Sequence, residues 1–144
     1  MNIVFHNDEP SAAARAAVAK GFSLHSAELG APDYEKDRVS WTITGEEGEV
    51  LAVLTGDLLW DWLYIDELWV SEEVRGTGLG RKLMQLAEEF AAKQRLTGVW
   101  LWTQSWQAET FYRKLGYEEF TRFADFPRGH SRIGLRKTTP SIAG

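Results

Sequence analysis

There is no cysteine among the 144 residues of this chain. Disulfides, thiolate metal sites and a cysteine nucleophile are therefore excluded. Histidine is scarce: His6, His25 and His130 are scattered along the sequence. A histidine-rich metal site needs them close, so no metal is expected. No apolar run approaches the roughly 20 residues of a membrane helix. The first eight residues already turn polar. Neither a membrane span nor a secretory leader is expected, and the cytoplasm is the expected location. Net positive charge is also lacking: the formal balance is -5, which argues against a general nucleic-acid surface.

What is present is ordinary for a globular protein, with 44% hydrophobic and 26% charged residues. The length suits a single domain, expected over residues 1–137, with a flexible tail at 138–144. Charge is unevenly placed. Residues 1–73 hold 4 Lys and Arg against 15 Asp and Glu, whereas residues 74–144 hold 12 against 6. The basic half suits an anionic ligand and the acidic half a cationic one. Solvated surface would explain the same counts.

The basic half opens on Arg75-Gly76-Thr77-Gly78-Leu79-Gly80. An alternating apolar segment, Leu63 to Val70, leads into it, and an amphipathic helix from Leu79 to about Gln94 leads out. On that helix Leu79, Leu83, Leu86, Ala87, Phe90 and Ala91 share one face. Alternate glycines let the backbone approach a ligand closely. A helix start supplies unpaired N–H groups and the positive end of a dipole. The segment therefore reads as an anion site, with phosphate the usual anion.

Around it the pattern predicts a strand at residues 2–6 and a helix from Pro10 and Ser11 to about Lys20, stopped by Gly21. A second short helix is expected at 22–29. Strands follow at 39–44, 49–57 and 63–70, the first two joined by Glu46-Glu47-Gly48. Beyond the long helix come a strand at 99–103, a short helix at about 107–115 capped by Gly116, and a closing pair at 117–123 and 131–136. The expected fold is α+β: a mixed, mostly antiparallel sheet with helices on both faces, in α/β/α layers.

Neither common phosphate loop fits. Walker A needs Gly-Lys-Ser/Thr where this chain has Gly80-Arg81-Lys82-Leu83, and the Rossmann fingerprint has different glycine spacing near a first strand. Arg75-x-x-Gly78-x-Gly80 instead resembles the pyrophosphate loop of the GNAT superfamily of acetyl-CoA-dependent N-acetyltransferases. Leu68-Trp69-Val70 lies upstream at the spacing of that superfamily. Ser105 to Tyr117, containing Phe111-Tyr112-Arg113-Lys114-Leu115-Gly116-Tyr117, is similar to its second hallmark. The resemblance runs from about Leu63 to Tyr117. One departure is Thr103-Gln104-Ser105-Trp106-Gln107, where many members carry an asparagine. Trp106-Gln107-Ala108 and Pro127-Arg128-Gly129-His130 are similar to a subgroup of small bacterial members.

The resemblance implies that acetyl-CoA is the co-substrate. Backbone amides from Arg75 to Gly80 would hold its pyrophosphate. Its contacts would comprise Leu68, Trp69, Val70, Arg75, Gly76, Thr77, Gly78, Leu79, Gly80, Arg81, Gln107 and Phe111. A splay between the strands at 63–70 and 99–103 would admit the thioester, with an amide near Trp69 or Val70 facing the developing oxyanion. Tyr112 matches the general acid toward the thiolate, although a helix aromatic in the core would also account for it.

An alkyl amine has a pKa of about 10, so attack requires removal of a proton. Asp66 and Glu67 are the carboxylates nearest the expected reaction centre. As strand neighbours they should face opposite sides, Glu67 sharing parity with Ile65 and Trp69. Glu67 is slightly preferred, and surface charge is the alternative reading for both. The 7 tryptophans suit core or interface more than a cation pocket. His130 suits a turn better than a base.

The expected function is direct acetyl transfer from acetyl-CoA to a primary amine, preferably a small cationic one. A peptide or protein amine is the second choice. A non-catalytic acyl-CoA sensor and a tryptophan-rich partner module are the rivals. Exposed edge strands near the C-terminal end would permit a homodimer.

Overall fold

A computed structural model describes residues 1–140. The chain divides into two compact units, Met1–Glu35 and Lys36–Gly144.

The first unit carries one helix, α1 (Ala12–Glu28). Ser11 caps it, its hydroxyl accepting from the Ala14 amide at 3.1 Å. The helix runs straight through Gly21, the expected stop. An interior glycine costs only about 1 kcal/mol, which the remaining good helix formers absorb. The true end is at Leu29, followed by Gly30 with φ 69°. The two expected helices are thus one. Residues 2–6 form no strand, because no other described strand pairs with them.

The second unit is a six-stranded sheet. Its strands are β1 (Lys36–Thr44), β2 (Val50–Leu59), β3 (Trp62–Val70), β4 (Gly98–Gln104), β5 (Glu118–Ala124) and β6 (Ser131–Thr138). The spatial order is β1-β2-β3-β4-β6-β5, and only β3 and β4 run parallel. Helices α2 (Leu79–Lys93) and α3 (Glu109–Lys114) supply the core on one face. There Leu83, Met84, Ala87 and Ala91 of α2 bury against Ala52, Leu54, Leu63, Ile65, Val99 and Leu101. Each large side chain so buried is worth about 1.5–3 kcal/mol. Met84 is fully buried in this core, beside the face expected from periodicity.

The C-terminal strand reaches further than expected. The Thr139 amide donates to the Thr97 carbonyl at 2.9 Å, so Thr138 and Thr139 belong to the sheet end rather than to a frayed tail. Residues 141–144 lie outside the described residues. No helix among the described residues is long and apolar enough to cross a membrane.

Candidate active site

Strands β3 and β4 pair only from Trp62/Gly98 to Ile65/Leu101. Beyond that point β4 stays paired with β6 out to Gln104, and β3 stays paired with β2 out to Val70. The sheet therefore parts down its middle. Among the described residues, the β3 edge facing β4 has no strand partner along Asp66–Val70, so some main-chain groups there are free to bind something else.

The glycine turn closes the end of this gap. A short 3-10 turn, Glu72–Val74, follows β3. Gly76 and Gly78 then adopt φ 78° and 91°, a region costly for any residue with a Cβ. Gly78 is the N-cap of α2 and offers no side chain to its amides. The first bond back into the loop is from the Lys82 amide to the Gly78 carbonyl at 2.9 Å. The amides of Leu79, Gly80 and Arg81 precede it and point out of the helix end. A Cβ on Gly76 or Gly78 would meet nothing within 4 Å, so the space above the turn is open. A Cβ on Gly80 would touch Phe111 at 3.5 Å and Val70 at 3.6 Å, which joins the turn to α3 and the end of β3. Open glycine backbone and clustered donors fit a pyrophosphate.

Two expected contacts have other work. The Arg75 guanidinium donates through Nε to the Val70 carbonyl at 3.2 Å, tying the turn to β3. Gln107 accepts from the Gln104 amide through Oε1 at 3.0 Å, while its own amide donates to the Gln104 carbonyl at 2.9 Å. This clasp delays the start of α3 from the expected 107 to Glu109.

Tyr112 is buried on the helix face, 8% exposed, with its ring edge-on to Phe111 at 5.0 Å and Tyr117 at 5.9 Å. Burial pushes its phenol up to about 12. Tyr117, next to it, is pushed higher still by burial and the Glu88 carboxylate, to which its hydroxyl donates at 3.4 Å.

The carboxylates depart from the expected geometry. Asp66 and Glu67 do not face opposite sides. Gly56 opposes Ile65 and Thr55 opposes Glu67, so Asp66 is the extra residue of a β-bulge. Inward parity passes from Leu63 and Ile65 before the bulge to Leu68 and Val70 after it. Both carboxylates emerge on the face away from α2, and one guanidinium reaches both. Arg38 Nη2 lies 2.9 Å from Asp66 Oδ2 and 3.5 Å from Glu67 Oε1. Its Nη1 donates to both oxygens of Asp57 at 3.2 Å. Hydrogen bonding to Asp66, then to Asp57, raises the Arg38 guanidinium above its already high value.

Arg38, Asp57 and Thr55 were not legible as functional residues. The one available sign was Gly56 inside an apolar strand, which is a bulge signal.

The tryptophans divide between the faces. Trp41 meets Phe90 of α2 edge-on at 5.5 Å. On the other face Tyr64 and Trp100 meet at 4.6 Å with their rings tilted by 39°, followed by Trp102 and Phe120. Arg132 already covers Trp102 at 4.6 Å and Arg136 covers Phe120 at 5.5 Å, so these rings serve the chain's own cations. Burial, followed by the Asp66 charge, raises the Tyr64 phenol. His130 sits edge-on to Trp106 at 4.7 Å in the β5–β6 connection.

A parted parallel pair with a glycine turn at a helix start fits a transferase of acyl groups. Residues 8–117 match the acetyltransferase (GNAT) family. The chain belongs to that family, whose members are acyl-transferring enzymes.

A blasticidin-S acetyltransferase of Streptomyces morookaense is 38% identical over 86 residues, covering 59% of this chain and 63% of that protein. The match thus spans a little under two thirds of that relative's length. The acetyltransferase Atu2258 of Agrobacterium fabrum is 30% identical over 103 residues, 72% of this chain and 75% of its own. Among solved structures, an acetyltransferase from Bacillus cereus superposes with a TM-score of 0.79 at 29% identity, covering 93% of this chain and 97% of its own.

Proposed function

We propose that the chain transfers an acetyl group from acetyl-CoA to a primary amine by direct attack, and that the acceptor is a small cationic amine. The parting of β3 from β4 beyond Ile65 and Leu101 carries this reading. There a thioester would reach unpaired strand amides inside the sheet, with Tyr112 on one face and the two carboxylates on the other.

The outward amides of Leu79, Gly80 and Arg81, under the open glycine backbone of Gly76 and Gly78, hold the pyrophosphate, aided by the α2 dipole. The free edge of β3 near Trp69 and Val70 pairs with the pantetheine amides and stabilises the oxygen charge that develops in the transition state. Phe111 closes the floor through its approach to Gly80. A carboxylate at the bulge takes the ammonium proton.

Tyr112 stays protonated at neutral pH, because its phenol lies at about 12. A thiol ordinarily lies near 8.5, so complete transfer of the phenol proton to the thiolate is uphill. Tyr112 therefore acts as a hydrogen-bond donor that stabilises the departing sulfur.

A small acceptor is supported by the likeness to a blasticidin-S acetyltransferase and by three carboxylates sharing one guanidinium at the bulge. Peptide amines are the second choice.

The test is acetyl-CoA-dependent thiol release across polyamines, aminoglycosides, nucleoside antibiotics, amino acids and short peptides, with acetyl-CoA binding followed by calorimetry. Turnover confined to one class of small amine, and strongly reduced in Tyr112→Phe, is the expected result. Binding without turnover on any amine would favour a sensor. Absence of binding would remove the reading built on the glycine turn.

A further inference from the structure

Two carboxylates stand at the bulge, and a direct transfer needs one base. Their surroundings differ. Asp66 makes the close contact with Arg38, at 2.9 Å, and its side chain is 39% exposed. Glu67 lies at 3.5 Å from the same nitrogen and its side chain is 69% exposed. Arg38 itself is not free to choose. It stands directly opposite Asp57 across the β1–β2 ladder, and Asp57 is only 7% exposed. A buried carboxylate must keep its cation, so the guanidinium is anchored there and its outer nitrogen has a fixed reach.

We propose that Arg38, anchored by Asp57, is a positioning residue that commits Asp66 to an ion pair and leaves Glu67 as the carboxylate that receives the acceptor's proton. The proposal rests on the acetyltransferase reading and goes further, by choosing between the two carboxylates and naming what orients the chosen one.

The geometry at Glu67 carries the second half. Its Oε1 accepts from the Thr55 hydroxyl at 3.2 Å and from Arg38 Nη2 at 3.5 Å. Both anchors engage the same oxygen, which leaves Oε2 for the acceptor. Thr55 is the cross-strand partner of Glu67, so its hydroxyl is delivered by the ladder itself. Among the described residues, the cation against Asp66 is Arg38, with no second donor corresponding to Thr55. One proton of the ammonium passes to Glu67 Oε2, and the freed nitrogen lone pair forms the C–N bond. The C–S bond breaks as the sulfur leaves with its electron pair, and the second nitrogen proton leaves to the departing thiolate or to water as the neutral amide forms.

The charged and titratable groups on this face near Glu67 include Arg38 on β1, Asp57 on β2, Asp66 and Tyr64 on β3, and Arg132 on β6, which bonds to Tyr64. The test uses the full chain with Glu67→Gln, Asp66→Asn, Arg38→Gln, Thr55→Val and the double variant Arg38→Gln/Glu67→Gln. Each is assayed for kcat, for the amine KM and for acetyl-CoA affinity. Loss of a positioned base typically costs about 10²–10⁴-fold. Glu67→Gln is expected in that range, with Asp66→Asn retaining at least about ten times more activity.

Thr55→Val preserves shape and is expected to lower kcat by about 3- to 10-fold with acetyl-CoA affinity unchanged, the loss of one orienting hydrogen bond of roughly 1 kcal/mol. The cycle is run at pH 9, where more of the amine is already neutral and the Glu67→Gln rate is readable. There Arg38→Gln should cost about tenfold in the native background and under about twofold on top of Glu67→Gln, because its effect passes through Glu67.

An Arg38→Gln loss that persists undiminished without Glu67 overturns the assignment, as does Asp66→Asn matching Glu67→Gln. Thr55→Val keeps the assignment open to refutation even if Arg38→Gln fails to fold: unchanged kcat in Thr55→Val overturns it. A native chain that binds acetyl-CoA yet acetylates no amine overturns both this assignment and the reading beneath it.

Discussion

A Cβ placed on Gly56 would stand 2.5 Å from the Tyr64 carbonyl oxygen. That oxygen is backbone and cannot swing away. The close approach of these two residues is what allows β3 to bulge at Asp66 and turn two successive carboxylates to one face.

Gly56→Ala is therefore expected to lose about 1–3 kcal/mol of stability, the usual cost of forced overpacking, and most of its turnover with it. Chemical denaturation and the amine assay check this together. Native stability with native turnover would show that the bulge does not need Gly56.

At the turn, Gly78→Ala forces a side chain into φ 91°, a strain of about 1–2 kcal/mol. It also places a methyl group in the open space where the pyrophosphate would sit. Acetyl-CoA affinity should fall by about tenfold or more by calorimetry. Gly80→Ala meets only ordinary contacts with Phe111 and Val70 and should leave stability nearly unchanged. Equal stability losses at the two positions would contradict the assignment of strain to Gly78.

Tyr112→Phe removes one hydroxyl from a ring that keeps its contacts with Phe111 and Tyr117. We expect kcat to fall by about 10²-fold, the usual loss on removing one hydrogen-bond donor to charge developing in the transition state. Acetyl-CoA affinity should hold within about twofold. Unchanged kcat would mean that Tyr112 serves packing alone.

The same burial makes the fold sensitive to alkali. Tyr112 lies at about 12 in the folded chain against about 10 when unfolded. Its contribution is fully present below pH 10 and is lost as pH rises from 10 through 12, because only the unfolded chain readily releases the proton. Tyr117 is raised in the same direction. Thermal unfolding midpoints should fall across that window. The fall should be smaller in Tyr112→Phe, and an equal fall would detach it from Tyr112.

Much of the fold was legible in the chain. The long helix was readable because its apolar residues repeat every three to four positions, and it forms within a residue of the expected bounds. The sheet strands were readable from alternation. The errors lie where a local sign met a competing one. Gly21 reads as a stop, yet its neighbours carry the helix through to Glu28. Residues 2–6 carry the β-favouring run Ile3-Val4-Phe5, but a strand exists only with a partner.

By itself the sequence determined what is local: the glycine turn, the helix behind it, the aromatic pair Phe111 and Tyr112, and an order of elements that resembles one family. Backbone preferences and hydrophobic period act over a few residues, so one chain displays them directly. Only the tertiary structure decided the site's far side. The bulge at Asp66, the row of Arg38 and Asp57, and the hydroxyl of Thr55 on Glu67 depend on which residue of one strand opposes which residue of another. That register is settled by packing across the whole sheet, and a parity rule applied to β3 alone fails at the first extra residue.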